Sequence, residues 1–389
     1  MLNHLTKDFF GNRQSRAIGI AFLSLGLLFG TWAAFIPHVK GKFGLNDADL
    51  GLILLSMPMG AVTMNLMGAW LVGKLGMRTT TILGMMAMAL AFLIPLNASS
   101  VYLVPAGLYL SGSCISVTNI AMNTGATVIE KNFKINIIST CHGMFSVGLM
   151  VGSMVASISG GMGVVPGYHM AGMSLLVILF ALLIRPTIFR VQDDVDEVLD
   201  DGFKAKFIIP TGAFLVMIFI GTCGNITEGT MVDWTSVFMR DVVDSSPYFV
   251  GWGLAGYSLF MALGRLFGDG LIPKVGPNKI MVYGGFLSIA GIIMAISYPS
   301  TWTAILGFSL VGAGVSCNSP ILYGSAARLP GVAKGTGLAV MNTFSMLGFM
   351  AGPVVIGFVS NASSLSWALS ITVLLAIVWT FLSARVKLF

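Results

Sequence analysis

Three ionisable side chains lie inside long apolar stretches of this sequence: Glu228, Asp233 and His142. A charge is costly in an apolar helix, so such residues indicate a function by default. A buried carboxylic acid can hold a proton and release it when water reaches it, and a histidine can titrate or hydrogen-bond a neutral ligand. We therefore predict proton-coupling chemistry carried by these three residues.

Glu228 is the strongest of the three candidates. It lies twelve residues before Arg240, which is about 18 Å along a helix and places it near the middle of a bilayer. Asp233 lies nearer the same helix end, and His142 lies eight residues past Lys134. Two alternatives stay open, because Glu228 could serve only to fasten its helix and His142 could be a buried, hydrogen-bonded histidine without a chemical role.

Polar side chains at helical spacing accompany these residues. Ser, Asn and Tyr recur along single faces of two apolar stretches, and they could line a cavity for a hydroxyl-rich or amide-bearing solute or could hydrogen-bond neighbouring helices. Two tryptophans at corresponding places could stack on a sugar ring or anchor the chain at a membrane interface. The predicted binding set is Trp32, Asn119, Asn123, Asn225, Trp234, Asn318, Tyr323 and Asn342.

The composition indicates which elements hold these residues. Hydrophobic residues make up 56% of the chain and charged residues 9%, whereas a soluble protein carries about 25% charged residues. Apolar runs of helix-spanning length follow one another, separated by short polar breaks. We find twelve such runs, six in each half, and predict an all-α membrane protein. One predicted span, 247–270, ends shortly after Arg265, and another covers 301–327.

An internal repeat relates the two halves. Eight glycines recur when the sequence is compared with itself at an offset of 200 residues, against about three expected by chance. A duplicated helical membrane protein is typical of secondary transporters. We predict two pseudo-symmetric six-helix bundles around a central cavity, at 1–186 and 207–389, joined by a cytoplasmic linker at 187–206.

The basic residues predict the orientation. With the N-terminus in the cytoplasm, only Lys40, Lys42 and Arg240 of the 21 Lys and Arg residues fall on the outer side. By the positive-inside rule both termini are then cytoplasmic, and we expect a monomer in the lipid bilayer of a bacterial inner membrane. The net charge of +6 reflects this orientation rather than a nucleic-acid site. We expect no metal, no cofactor and no enzymatic activity, since no known catalytic or nucleotide motif occurs.

Two loops at equivalent repeat positions carry a more specific pattern. The first reads Gly73-Lys-Leu-Gly-Met-Arg78, and the second runs from Gly264 to Gly276. Both resemble the loop signature of the major facilitator superfamily, which implies a twelve-helix fold and a charge-pairing lock at the cytoplasmic face. The resemblance assigns this gating role to Lys74, Arg78, Arg265, Asp269 and Lys274. The first copy departs from the pattern, because Gly73 occupies the usual acidic position.

Two further motifs narrow the resemblance. Glu228-Gly-Thr-Met-Val-Asp-Trp234 and His142-Gly-Met-Phe-Ser-Val-Gly148 resemble patterns of the YbjJ-type bacterial inner-membrane transporters. That branch lies near the fucose permease-like sugar transporters. The resemblance implies alternating access across the membrane and says little about the substrate.

The expected function is proton-coupled symport of a small polar solute. No Lys or Arg lies in the middle of a predicted helix, and anion carriers present a basic clamp, so we expect a neutral or cationic substrate and, of these, a neutral, sugar-like one. An alternative is a proton-antiport exporter of cationic or lipophilic compounds, which the 25 methionines would suit. A membrane enzyme or receptor is disfavoured, because the sequence contains neither a reactive motif nor a sizeable soluble domain.

Overall fold

The computed structural model describes residues 9–192, 212–329 and 334–388, and the regular elements within these ranges are all helical. Helices α1–α8 are Arg13–Lys42, Asp47–Leu54, Ser56–Leu75, Met77–Ala91, Leu93–Asn97, Leu103–Phe133, Ile138–Gly161 and Pro166–Ile188. Helices α9–α15 are Gly212–Asp241, Trp252–Val275, Pro277–Ser297, Thr301–Val315, Asn318–Ala326, Lys334–Ala362 and Leu365–Ser383. A short 3₁₀ turn, Pro247–Phe249, precedes α10. The acidic run of the predicted linker lies outside the described residues.

Most of these helices are long and apolar enough to cross a membrane. Within the described ranges, eleven segments meet this criterion by length and composition. Helix α10 is also long, at 24 residues, but it carries Arg265, Asp269 and Lys274 and is correspondingly less apolar. With α10 as the twelfth span, the predicted all-α fold of a twelve-helix membrane protein is confirmed.

The chain forms two compact units. The first comprises Met1–Gly44, Ser56–Leu199 and Pro247–Gly251, and the second comprises Leu45–Leu55, Asp200–Ser246 and Trp252–Phe389. In the first unit α1 packs on α7, and both α3 and α4 pack on α6. In the second unit α9 packs on α14, and both α10 and α11 pack on α12. The repeat in the sequence is therefore also a repeat in helix packing.

Glycines at equivalent repeat positions allow the same close contact in both units. A Cβ atom at Gly112 would lie 1.9 Å from the carbonyl oxygen of Met57, on α3. A Cβ atom at Gly312 would lie 2.0 Å from the carbonyl oxygen of Tyr257, on α10. A side chain at either position would have to push two helices apart, so glycine permits this packing.

The two signature loops also share a backbone conformation. Gly76 precedes α4 with a φ of 79°, and Gly276 precedes α11 with a φ of 92°. Residues with a Cβ atom rarely adopt this left-handed conformation, because the Cβ clashes with the backbone. The recurrence of glycine at these two positions therefore has a local steric cause.

Each unit also contains one short segment from the opposite half of the sequence. Helix α2 packs on α14 in the second unit, where Ser360 Oγ donates a hydrogen bond to Asp47 Oδ2 at 2.5 Å. The 3₁₀ turn packs on α7 in the first unit, where Ser157 Oγ donates to the carbonyl oxygen of Pro247 at 3.0 Å. Asp47 and Pro247 are themselves 200 residues apart, so the two exchanged segments follow the internal repeat.

One span differs from its prediction. The sequence predicts a continuous helix at 301–327, but the backbone leaves the helix at Ser316 and Cys317, between α12 and α13. Pro320 explains the break, because it has no N–H to donate to the carbonyl of Ser316 and its ring crowds that turn. The interruption brings Asn318 to the start of α13.

Candidate functional site

An ion pair between two helices forms the centre of the candidate site. Arg265 Nη2 on α10 lies 3.4 Å from Glu228 Oε1 on α9, and the two side chains are only 13% and 17% exposed. Arg265 lies 13 residues after Trp252 and ten before Val275, which is the middle of its helix. Two opposite charges are therefore held together within the apolar part of the second unit.

The length of α10 overturns two sequence predictions, and the ion pair adds a partner that the sequence did not indicate. Arg265 was expected at the cytoplasmic end of its helix, but α10 continues beyond the predicted span 247–270 and ends at Val275. The middle of a membrane helix therefore does contain a basic residue, which removes the basis for expecting a neutral substrate. The sequence indicates no charged partner for Glu228, whereas the carboxylate lies beside a guanidinium.

A narrow cleft opens beside Glu228 within the second unit. Side chains of α9, α13 and α14 form most of its lining, and it has room for about one water molecule. Its polar lining residues are Asn225, Glu228, Asn318, Ser319, Tyr323 and Ser345. The structure thus brings four residues of the predicted site, Asn225, Glu228, Asn318 and Tyr323, to one place.

Asn318 presents an unused hydrogen-bonding group to this cleft. The residue is only 5% exposed, and neither Oδ1 nor Nδ2 has a hydrogen-bond partner in the described part of the chain. A buried amide normally has partners, since leaving one unsatisfied is costly. Its Nδ2 lies only 2.7 Å from where a Cβ at Gly224 would be, so glycine on α9 makes room for the amide. Asn225, by contrast, donates from Nδ2 to the carbonyl oxygen of Gly221 at 2.7 Å.

A hydroxyl cluster borders the other side of the cleft. Tyr323 Oη donates to Ser345 Oγ at 3.2 Å and lies 3.5 Å from Asn342 Oδ1. Ser345 was not predicted, although it lies three residues after Asn342 and helical spacing places both on one face. Tyr257 was also missed. Its side chain is fully buried on α10, and its hydroxyl has no hydrogen-bond partner among the described residues.

The two tryptophans are placed differently from their prediction. Trp32 is 1% exposed and Trp234 is 0% exposed, so both are packed inside the protein. The ring of Trp234 lies against Gly357, where a Cβ would be 3.3 Å from it. Neither tryptophan offers a ring face on which a sugar could stack in this structure.

The remaining predicted site residues are half-buried. Asp233 lies on α9, one and a half turns beyond Glu228. In the first unit, the ring of His142 makes an edge contact with Phe22, with centroids 5.2 Å apart. Asn123 Nδ2 donates to Asn119 Oδ1 at 2.6 Å, so these two amides bond one another. Roles for Asp233, His142, Asn119 and Asn123 stay predictions.

The loop residues assigned to gating lie at helix ends, apart from Arg265. Lys74 is exposed in the last turn of α3, with Nζ 5.2 Å from the ring centroid of Trp70. Arg78 is the second residue of α4 and is half-buried, and Lys274 is exposed in the last turn of α10. The side chain of Asp269 lies outside the described part of the chain. The gating role of these residues stays a prediction.

Known proteins resemble this chain in sequence and in fold. Residues 205–387 match the family model described as Major Facilitator Superfamily. An uncharacterized MFS-type transporter of Yersinia pestis is 32% identical over 367 residues, which cover 94% of each chain.

Two solved transporters share the fold. The nucleoside transporter NupG has a TM-score of 0.71 at 15% identity, covering 95% of this chain and 98% of that one. The E. coli fucose:proton symporter FucP has a TM-score of 0.63 at 15% identity, covering 96% of this chain and 98% of that one. At this level of identity the two structures support the architecture alone.

Proposed function

This chain belongs to the major facilitator superfamily, and we propose that it couples the movement of a small polar solute to protons through Glu228. It is a membrane transporter rather than an enzyme. The observation that carries the proposal is the Glu228–Arg265 ion pair beside a polar cleft in the second unit. One proton can neutralise a carboxylate in that position, and the loss of its charge changes the interaction between two helices.

The coupling follows from the electrostatics of the pair. When Glu228 is ionised, its attraction to Arg265 holds α9 and α10 together in a medium of low dielectric constant. When Glu228 takes up a proton, its attraction to Arg265 is lost, so α9 and α10 are held together less strongly. Proton binding therefore shifts the balance between two arrangements of the helices, which is what alternating access requires.

The polar residues around the cleft supply the solute contacts in this proposal. Asn318 offers one acceptor and two donors, and Tyr323, Ser345 and Asn225 border the same space. The solute would therefore carry hydroxyl, amide or other hydrogen-bonding groups. We place the transporter in the bacterial inner membrane with both termini in the cytoplasm, on the basis of its basic residues.

Transport by purified protein in liposomes tests the proposal. Electrical or radiotracer screening of sugars, polyols, nucleosides and sugar acids under an inward proton gradient would first identify a transported solute. Glu228→Gln, which mimics the protonated acid, should then exchange solute across the membrane but fail to concentrate it. Asp233→Asn is the comparison variant on the same helix, and it should reduce proton-driven accumulation less than Glu228→Gln does.

Two results would contradict the assignment. Accumulation by Glu228→Gln at the wild-type rate would show that Glu228 does not carry the coupling. Proton-driven antiport of solute in everted vesicles, with no symport in either orientation, would favour the exporter alternative instead.

A further inference from the structure

A groove in the first unit lies between α3 and α4. Both helices pack on α6, and residues of all three helices line a space of about 230 Å³. The lining combines small residues, Gly84 on α4 and Ser113 and Cys114 on α6, with the longer side chains of Leu71 and Leu83. Short side chains next to long ones therefore create the recess.

The groove presents hydrocarbon rather than hydrogen-bonding groups. The described residues that line it include no charged side chain, and their two hydroxyls already donate within the protein. Thr80 Oγ1 donates to the carbonyl oxygen of Gly76 at 2.8 Å, and Ser113 Oγ donates to that of Tyr109 at 2.8 Å. A polar solute would lose its hydration there and find no hydroxyl proton to accept. An apolar occupant therefore fits the groove better.

The length of the groove fits one acyl chain of a lipid. Its lining on α3 extends from Met64 to Leu75, which is about 16 Å along a helix. The hydrocarbon core of a bilayer is about 30 Å thick, so one leaflet contributes about 15 Å. Leu75 and Leu83 are 44% and 53% exposed, so the groove is open along its side. A chain from one leaflet can therefore enter sideways and occupy the groove over its whole length.

One end of the groove carries positive charge. Leu75 and Thr80 line this end, and Lys74 is exposed in the same last turn of α3. Arg78, the second residue of α4, adds a positive charge at the same end. Lys74 Nζ lies 5.2 Å from the ring centroid of Trp70, which is 58% exposed. Exposed tryptophan is typical of the membrane–water interface, and basic residues between membrane helices bind anionic head groups.

We propose that this groove binds one phospholipid with an anionic head group, its acyl chain between α3 and α4 and its phosphate beside Lys74. The site lies wholly within the first unit, and it is independent of the coupling role proposed for Glu228. Helices α3 and α4 are joined by the single residue Gly76. A bound chain would fill the space between them and so favour one separation of the two helices on α6.

Protection of a cysteine from alkylation tests occupancy of the groove. Cys114 lines the groove and is half-buried, whereas the other three cysteines are buried. With delipidated protein in maltoside micelles, dioleoylphosphatidylglycerol should slow the reaction of Cys114 with N-ethylmaleimide several-fold, as measured by peptide mass spectrometry. Dioleoylphosphatidylcholine should slow it less, and glycerol 3-phosphate, which has no acyl chain, should not slow it.

A variant that fills the groove tests the location of the chain. Ala87 is an exposed lining residue on α4, and Ala87→Phe places a ring in the space of the acyl chain. Alkylation of Cys114 in this variant should be slow with or without lipid. If Ala87→Phe does not fold, Ala87→Leu serves in the same comparison with a smaller effect, because the repeat carries leucine at the equivalent position 287.

A charge variant tests recognition of the head group. Lys74→Gln should reduce protection by phosphatidylglycerol to the level given by phosphatidylcholine. Lys274→Gln is the matched control, because Lys274 is exposed in the last turn of α10 at the equivalent repeat position, and it should leave the protection unchanged. Equal protection of the wild type by the two lipids, no protection by either, or equal losses in the two lysine variants would overturn the inference.

Discussion

Gly312→Ala should weaken proton coupling by displacing α10, without altering either member of the ion pair. A Cβ atom at this position would lie 2.0 Å from the carbonyl oxygen of Tyr257. Ordinary contact between a carbon and an oxygen needs about 3.4 Å, so α10 and α12 must separate locally by about 1.4 Å. Helix α10 also carries Arg265, whose distance from Glu228 is 3.4 Å. An ion pair loses its contact beyond about 4 Å, so a shift of this size exceeds the available slack.

The same substitution also lowers stability, and this effect must be separated from the effect on coupling. Overpacking a helix contact costs about 1–3 kcal/mol. For a unit of this size, that corresponds to a melting temperature lower by about 2–12 °C. Gly112→Ala provides the matched control, because its Cβ would lie 1.9 Å from the carbonyl oxygen of Met57 in the first unit. The packing defect is nearly identical, but the contact does not involve α9 or α10.

Both quantities can be measured on one preparation. Melting temperature in detergent reports the packing defect, and solute accumulation at a fixed pH gradient in liposomes reports coupling. We expect both variants to melt at similarly reduced temperatures, while only Gly312→Ala loses most of its accumulation. If the two variants reduce accumulation equally, or if Gly312→Ala accumulates solute like wild type despite its lower melting temperature, the link between α10 position and coupling is wrong.

Two further predictions concern backbone and capping. Gly276→Ala should lower stability by about 1–2 kcal/mol, because φ is 92° there. Gly172→Ala in α8, where no atom lies near the Cβ position, should be neutral or slightly stabilising. The melting temperatures of the two variants test this difference. Glu130 Oε1 accepts hydrogen bonds from the N–H groups of Ile137 and Ile138 at 2.5 and 2.9 Å, just before and at the start of α7. Glu130→Ala should therefore lower stability by about 0.5–2 kcal/mol, and Glu130→Gln, which keeps an acceptor, should lower it less. Equal decreases in melting temperature for the two variants would exclude the capping role.

The fold was predictable because lipid imposes simple rules. Backbone groups in a bilayer must be satisfied within helices, so apolar runs of sufficient length identify the spans. Glycine positions such as Gly112 and Gly312 are also visible in the sequence, because the same helix contact occurs in both halves. The break at Pro320 was missed, since proline is common enough in membrane helices that it does not by itself predict an interruption.

The candidate site was predicted less completely, for a physical reason. Arg265 was counted with the cytoplasmic basic residues, because a charge near a predicted helix end is ordinarily solvated. It is paired with Glu228, which lies 37 positions away on another helix, and one sequence carries no direct record of that pairing. The polar set around Glu228 was recovered from helical spacing, whereas the burial of Trp234 follows from the close approach of Gly357 and could not be anticipated.

The exchange of short segments between the two units has a consequence for synthesis of the protein. The hydrogen bond between Asp47 and Ser360 joins residues 313 positions apart, whereas that between Ser157 and Pro247 spans 90. A ribosome adding about 5–20 residues per second needs about 15–60 s to cover the longer interval. Helix α2 must therefore wait in the nascent chain until α14 has been made, while α7 receives its partner early. Completion of the second unit is consequently among the last events of biogenesis, and a stall before residue 360 would leave an early-made helix without the surface on which it docks.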